Sequence, residues 1–396
     1  MDRQPWVDDV IGYMLGSEQK TNFFKDYHEK KPLIVSRDEP DRFQDLLSFQ
    51  RIDEMVSSLE FPTGTLDMTS ASKSLTREDY TFSSGVADRG AVSRHFQNGA
   101  TLILPQLHQS DARLASFCHA MEAIFSCHLQ TNIYLTPPDA QGFNTHYDDH
   151  DVFVMQVSGS KTWRFYDTPV ANPYRGEGFQ SGAHDIGEPT QEFVMNAGDC
   201  IYVPRGLMHD ARTHGDVASL HITCGLIVKT WADLMLEVVS EVALKNPDFR
   251  RALPAGFARP DFDRTEAIKH FEKISQALAE NTDPEAALDL FVDNHIRSRT
   301  PDTTGTLSGF QTPLKPGQRF SLRPLTPWRL AEDGEHIVII TSGGEVRFPA
   351  DAEPGLHTLL DGGEISTASF KALSDEGATE TVQKLYAYGL TIPVDK

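Results

Sequence analysis

The stretch Thr145-His146-Tyr147-Asp148-Asp149-His150-Asp151-Val152-Phe153-Val154-Met155-Gln156-Val157-Ser158-Gly159-Ser160-Lys161-Thr162-Trp163-Arg164-Phe165-Tyr166 sets the fold class. Two β-rich runs, Val152 to Val157 and Thr162 to Tyr166, flank a tight connection at Ser158-Gly159-Ser160-Lys161. Just upstream, His146 and Asp148 stand two apart. On a strand, that spacing turns both side chains to one face and Tyr147 to the other. A second imidazole arrives at His209, at the end of Tyr202-Val203-Pro204-Arg205-Gly206-Leu207-Met208-His209. Two histidines and one carboxylate on one face of an ion leave open positions, a donor set suited to non-haem Fe(II) oxygenases. Asp149, His150 and Asp151 crowd the same spot and are alternative ligands by type. Asp149 faces away if His146 faces in.

Working outward, further short runs recur at Thr131 to Thr136, Glu192 to Met195, Cys200 to Val203 and Ser219 to Thr223, with turn text such as Asn196-Ala197-Gly198-Asp199 between them. Many short strands with Gly and Pro turns predict a sandwich or barrel. Upstream, Phe23 to Val35 reads as a helix that stops before Pro32 and continues as a short strand. The rest of the first hundred residues reads as mixed helix and loop, with loops and hairpins around Thr63 to Gly90. After Val228 the text turns helical, over Trp231 to Val239, Ala267 to Ala279 and Pro284 to Ile296. Asn281-Thr282-Asp283-Pro284 reads as a helix start. Residues 301–330, rich in Pro, Thr and Gly, read as a linker. The last segment alternates strands (His336 to Ile340) with a helix near Glu380 to Tyr388, a small α+β module.

At 396 residues the chain is long enough for two or three domains. Its composition, 39% hydrophobic and 23% charged, is that of a globular protein. Neither a signal segment nor a membrane-length apolar run is present, and the opening Met1 to Asp9 is acidic, so a cytoplasmic protein without membrane contact is expected. Cys118, Cys127, Cys200 and Cys224 form no CxxC pair and read as buried thiols. The net charge of −21 disfavours phosphate backbones and favours a basic partner. Residues 301–396 hold eight Lys and Arg against thirteen Asp and Glu, which argues against DNA binding.

These motifs together resemble the JmjC-type cupin oxygenases, in particular the ribosomal oxygenase group. The resemblance is carried by Asn132-Ile133-Tyr134-Leu135-Thr136-Pro137, Gln141-Gly142, His146-Tyr147-Asp148-Asp149, Val152 to Trp163 and Gly198 to His209. Phe23 to Val35 is similar to the group's leading segment, and Trp231 to Leu253 to its dimerisation region. The likeness spans most of the chain and is weakest after residue 300. It implies a mostly β core of the cupin/JmjC double-stranded β-helix type with α additions over residues 1–230. A helical dimerisation segment over 231–300 and a winged-helix-like module over 301–396 complete the implied architecture.

The resemblance also implies an Fe(II)- and 2-oxoglutarate-dependent hydroxylase that uses O2. His146, Asp148 and His209 match the metal ligands. Lys161 matches the position that binds the far carboxylate of 2-oxoglutarate, where some bacterial members carry Arg. Asn132 and Tyr134 match pocket positions. At Gly225 the human members have Ser, so one cosubstrate contact is missing. The implied substrate is a histidyl or arginyl side chain of a basic protein or peptide, a ribosomal protein first, with Asp149 and Asp151 suiting a basic polypeptide. Alternatives are the same chemistry on a biosynthetic peptide, a small metabolite or a tRNA base, and a metal-binding cupin without turnover. A homodimer is implied. The remaining histidines read as structural: His119 and His128 in a helix over Arg113 to Gln130, and His184, His214, His270, His295, His336 and His357 without partners at ligand spacing. His221, on a core strand, reads as an outer-sphere candidate.

Overall fold

A computed structural model describes residues 4–309, 314, 315 and 317–394. The acidic opening at Met1 to Arg3, part of the expected linker and the last two residues lie outside the described residues. The chain divides into two compact units, Met1–Val228 and Lys229–Lys396.

The first unit opens with helix α1 (Pro5–Asn22), a π turn over Phe23–Tyr27 and strand β1 (Leu33–Val35). Then come α2 (Phe49–Ser58), β2 (Asp67–Thr69), α3 (Arg89–Gln97), β3 (Thr101–Pro105) and α4 (Ala112–Phe125). Side chains cap these helices: Ser48 accepts from Arg51 N, and Asp111 from Arg113 N and Leu114 N. The strands β4 (His128–Thr136), β5 (Asp151–Ser158), β6 (Ser160–Phe165), β7 (Gln191–Asn196), β8 (Cys200–Val203), β9 (His209–His214) and β10 (Ser219–Ile227) follow.

They form two antiparallel sheets, ordered β1-β8-β5-β10-β4-β3-β2 and β7-β6-β9. The tight connection at Gly159 is therefore a crossing from one sheet to the other, not a hairpin, and Asn196 to Asp199 crosses back. Gly159 and Gly198 both have φ in the left-handed region (+64° and +91°). A Cβ at Gly198 would run into the Glu39 carbonyl oxygen, and one at Gly159 into that of Ala218. Between the sheets, Val152, Val154, Trp163, Phe165, Met195, Ile201, Val203 and Leu207 form one core. On the other side of the large sheet, Phe23 packs against Phe153 and Tyr202, bringing the N-terminal segment onto the barrel. β5 is buried along almost its whole length, which is why it reads as an unbroken apolar run.

Three expectations are corrected here. His146 and Asp148 do not lie on a strand; they sit in the loop between β4 and β5, tied to β9 by one isolated bridge. The helix expected over Arg113 to Gln130 stops at Phe125, where Ser126 turns left-handed (φ 47°), and His128 begins β4. Finally, 301–330 is not a plain linker. It contains β11 (Phe320–Leu322), whose Phe320 is buried in a core, and the buried Arg323, whose Nε donates to Gly389 O.

The second unit holds α5 (Trp231–Lys245), α6 (Thr265–Asn281), α7 (Pro284–Arg297), a short α8 (Thr306–Gly309), β11, β12 (Trp328–Asp333), β13 (His336–Thr341) and β14 (Gly344–Pro349). It ends with α9 (Glu353–Leu360), α10 (Asp375–Ala387) and β15 (Thr391–Pro393). A Thr230/Asp233 capping box starts α5, and Asp283 with Pro284 starts α7. β12-β13-β14 is a meander and β11 pairs with β15. Ile339, Phe348, Leu356, Phe370 and Leu385 fill its core. α7 packs against β13 and β14, so the helical segment and the last segment share one unit. No helix among the described residues is long and apolar enough to cross a membrane.

Candidate metal centre

His146 and Asp148 are held on their loop by bonds to the far side of the barrel. His146 N donates to His209 O (3.1 Å) and His209 N to His146 O (2.7 Å). Gly206 N donates to Asp148 O (3.0 Å). The Asp210 carboxylate accepts from Thr145 Oγ1 and Tyr166 Oη, both at 2.7 Å, fastening the loop to β9 and to the residue that follows β6. These bonds do what a strand was expected to do: Tyr147 turns into an apolar cluster with Tyr166 and Met208, while its two neighbours turn the other way, towards His209.

The candidate donor atoms of His146, Asp148 and His209 all lie within 4.8 Å of one another. His146 Nε2 is 3.8 Å from Asp148 Oδ1, and His209 Nε2 is 3.7 Å from Asp148 Oδ2. Those gaps are too long for hydrogen bonds. Each Nδ1 lies near a carbonyl two residues earlier, His146 on Asn144 O (2.8 Å) and His209 on Leu207 O (2.9 Å). A carbonyl only accepts, so each Nδ1 carries the proton and each Nε2 presents its lone pair to the shared space. Burial and the neighbouring imidazole lower the His209 pKa, which favours the neutral form a metal requires. The donors therefore fit one divalent ion on a two-histidine, one-carboxylate face. No other group of three His, Cys, Asp or Glu converges this way among the described residues.

From the ligands a pocket of about 120 Å³ runs inward between the sheets, lined among others by Asn132, Tyr134, His150, Lys161, Trp163 and His221. Lys161 is buried with Nζ donating to Thr136 Oγ1 (3.0 Å), which also accepts from Thr101 Oγ1 (3.2 Å). No carboxylate among the described residues pairs with it, and desolvation pulls its pKa down from 10.5 to about 7. The hydroxyl of Thr213, the register partner of Lys161, is buried without a hydrogen-bond partner, and so are Trp163 Nε1 and His221 Nδ1. A lone ammonium among orphaned polar atoms is the environment of an anion's end. Tyr134 stacks on His221 (centroids 4.9 Å, 17° between planes), and burial and the Asp148 charge raise its pKa.

A family model described as the JmjC domain matches residues 102–234. Those residues are a JmjC domain.

This JmjC domain has curated relatives named "Bifunctional lysine-specific demethylase and histidyl-hydroxylase NO66". The protein from Drosophila grimshawi is 37% identical over 256 residues, 62% of this chain and 35% of that protein. The one from Dictyostelium discoideum is 30% identical over 287 residues, 69% of this chain and 53% of that protein. The chain thus spans about a third to a half of the length of these two. Among solved structures, Escherichia coli YcfD, titled a ribosomal oxygenase in complex with cobalt and succinic acid, aligns over 96% of this chain and 99% of its own, with TM-score 0.55 and 14% identity. YcfD in complex with cobalt and 2-oxoglutarate aligns with TM-score 0.54, 13% identity and the same coverage. At such identities the likeness is one of fold.

Within the JmjC domain, the structure brings His146, Asp148, His209, Lys161, Asn132 and Tyr134 to one pocket. Two acidic neighbours do not join them. Asp149 Oδ2 accepts from Gly176 N, outside the pocket. Asp151 is fully buried, bonded by Tyr202 Oη (3.1 Å) and Arg205 N (2.8 Å) and paired with the Arg205 guanidinium (3.4 Å). It is a structural charge, and the expectation that Asp151 would face a basic polypeptide is corrected. Sequence reasoning passed over Thr136, Thr101, Thr223 and the pocket role of His150. Thr136 and Thr223 were legible in principle, since they share the two-residue period of Asn132-Tyr134 and of His221.

Proposed function

We propose that the JmjC domain is an Fe(II)- and 2-oxoglutarate-dependent hydroxylase of a protein side chain, a histidyl or arginyl residue of a ribosomal protein. The observation that carries this reading is the pairing of two features in one pocket: a three-donor face with both imidazoles aimed, and a buried ammonium without a counter-ion beyond it. The names and bound molecules of the relatives support the same chemistry. The net charge of −21 favours a basic substrate.

His146 Nε2, a carboxylate oxygen of Asp148 and His209 Nε2 would hold the iron. Lys161 Nζ would neutralise the far carboxylate of 2-oxoglutarate, replacing a desolvated lone charge by an ion pair. Asn132 and Tyr134 line the cosubstrate pocket, with Tyr134 kept as a neutral phenol. Trp163, Val152 and Val154 exclude water from it. When bound, iron and 2-oxoglutarate supply the activation of O2, with succinate and CO2 as co-products.

The second unit is read as a homodimerisation element followed by a winged-helix-like module. Trp231 (81% exposed), Leu236 (64%) and Phe271 (67%) on α5 and α6 support the first part, because a monomer in water gains nothing from such side chains.

Anaerobic titration of the Fe(II)-loaded protein with 2-oxoglutarate tests the central reading. A visible metal-to-ligand charge-transfer band, lost in His209→Ala, is the expected result. Iron binding with no band would leave a metal-holding cupin without oxygenase chemistry.

A further inference from the structure

At the metal end of the pocket one imidazole stands over a glycine. His150 follows the ligand loop, and Gly225 lies on β10 opposite Val152 of β5 and Gln130 of β4. A Cβ built on Gly225 would meet the His150 ring at 3.1 Å (Cε1), 3.2 Å (Nε2) and 3.4 Å (Nδ1). The ring therefore lies tight against the space that a side chain at 225 would take, and would have to give by a few tenths of an ångström to admit one. The φ of Gly225 is not in the left-handed region, so its backbone does not demand the residue; the close approach of the ring favours it.

The ring is also chemically incomplete. His150 Nδ1 is sealed from solvent and has no hydrogen-bond partner. A buried imidazole nitrogen left so costs free energy, and native structures satisfy nearly all such groups. The ring borders the same pocket as His146, Asp148 and His209, so a ligand there can supply what the protein does not. The partner must suit the site's charge. The donors of the triad fit a cation, and the cosubstrate end that approaches that cation is the 2-oxo acid. Lys161 serves the other end: its charge acts on His221, which stands four residues from Gly225 on the same face of β10.

We propose that His150 is a cosubstrate-binding residue that hydrogen-bonds the carboxylate at the 2-oxo acid end of 2-oxoglutarate, and that Gly225 is the vacancy that admits its ring. This rests on the reading of the pocket as a 2-oxoglutarate site. The imidazole offers an N–H to the carboxylate, a charge-assisted bond that fixes the rotation of the bound acid. Neither His150 nor Gly225 is a metal donor here, so the pair tunes the cosubstrate without touching the ion.

The experiment is calorimetric titration of 2-oxoglutarate into Mn(II)-loaded protein, a redox-inert state that reads binding and not turnover. Mn(II) affinity is measured separately on each variant. His150→Phe keeps a flat ring and removes both nitrogens; His150→Asn keeps a donor near the place of Nδ1. The expected result is about tenfold or more weaker 2-oxoglutarate binding in His150→Phe, retention within about threefold in His150→Asn, and Mn(II) affinity unchanged in both. Gly225→Ser displaces the ring and weakens binding in wild type. In a His150→Ala background the same change costs little further, because nothing remains to displace.

Equal 2-oxoglutarate binding in wild type and His150→Phe overturns the assignment and leaves the oxygenase reading standing. Loss of Mn(II) affinity in His150→Phe overturns it too, by making His150 a support of the ligand loop. Absence of 2-oxoglutarate binding in the Mn(II)-loaded wild type overturns the pocket reading, and this assignment with it.

Discussion

His146 and His209 close a single antiparallel bridge on each other, each donating its backbone N–H to the other's carbonyl, at 3.1 and 2.7 Å. Two imidazoles from distant parts of the chain are thereby set side by side, with ring centroids 4.8 Å apart. The main chain makes the pair, and Asp148 is carried in by the same loop.

Removing a donor at this bridge abolishes metal binding without unfolding the protein. His209→Ala and Asp148→Ala should weaken Co(II) or Mn(II) by more than the roughly 100-fold that loss of an outer hydrogen-bonding partner costs. Calorimetry reads the loss. Apo-protein melting temperatures should stay near wild type, while the rise on adding metal disappears. Retained affinity would remove these residues from the ligand set.

Lys161 predicts a pH dependence of stability. Its folded pKa, about 7, lies below the unfolded value of 10.5, so between those limits the unfolded chain binds more protons and apo stability rises with pH. Below about pH 7 both states are charged and the full penalty persists. Lys161→Met should flatten that slope and stabilise the apo protein at pH 7 by an amount on the order of a few kcal/mol. Denaturant melts between pH 7 and 10 decide it; an identical slope in the variant would place the titration elsewhere.

The same lysine sets the pH dependence of the cosubstrate. An anion beside Nζ favours the ammonium, so above about pH 7 binding must take up a proton. Affinity for 2-oxoglutarate should fall by up to about tenfold per pH unit there, and Lys161→Ala should bind weakly at every pH while keeping its metal. A flat profile in wild type counts against Lys161 as the clamp.

Arg205→Ala strands the Asp151 carboxylate in the core. The expected cost is about 3–5 kcal/mol, read by urea unfolding. Replacing both partners, Asp151→Asn with Arg205→Met, should recover much of it, since the charge left behind is the source of the cost. A similar loss in the double variant would mean that packing, not charge, dominates.

Leu236→Glu with Phe271→Glu tests the dimer. Light scattering should report a monomer for the variant and a dimer for wild type, with 2-oxoglutarate binding unchanged. A monomeric wild type ends the dimer reading.

Much of the barrel was legible because β4 alternates in burial and β5 is buried throughout, patterns that apolar text records directly. The strand β9 was not. Its sequence, His209-Asp210-Ala211-Arg212-Thr213-His214, has no apolar alternation and is a strand because β6 pairs with it. Likewise His146 and Asp148 reach one space through a bridge and a fastened loop, although the two-residue spacing suggested a strand. The fate of Asp151 was hidden for another reason: nothing local distinguishes a carboxylate that meets Arg205 and Tyr202 in the core from one that meets a substrate. Pro- and Thr-rich text concealed β11, whose partner β15 lies at the far end of the chain.

The orienting acceptors of both histidines are the carbonyls of Asn144 and Leu207, each two residues before its imidazole. Neither side chain takes part in aiming its ring, so the exposed Asn144 is free to drift, while Leu207 is held by its packing between the sheets; a one-residue insertion between acceptor and histidine would destroy the aim in either case. Lineages that remodel the rim of this pocket should thus show substitutions at 144, apolar residues at 207 and a fixed chain length from each to its histidine.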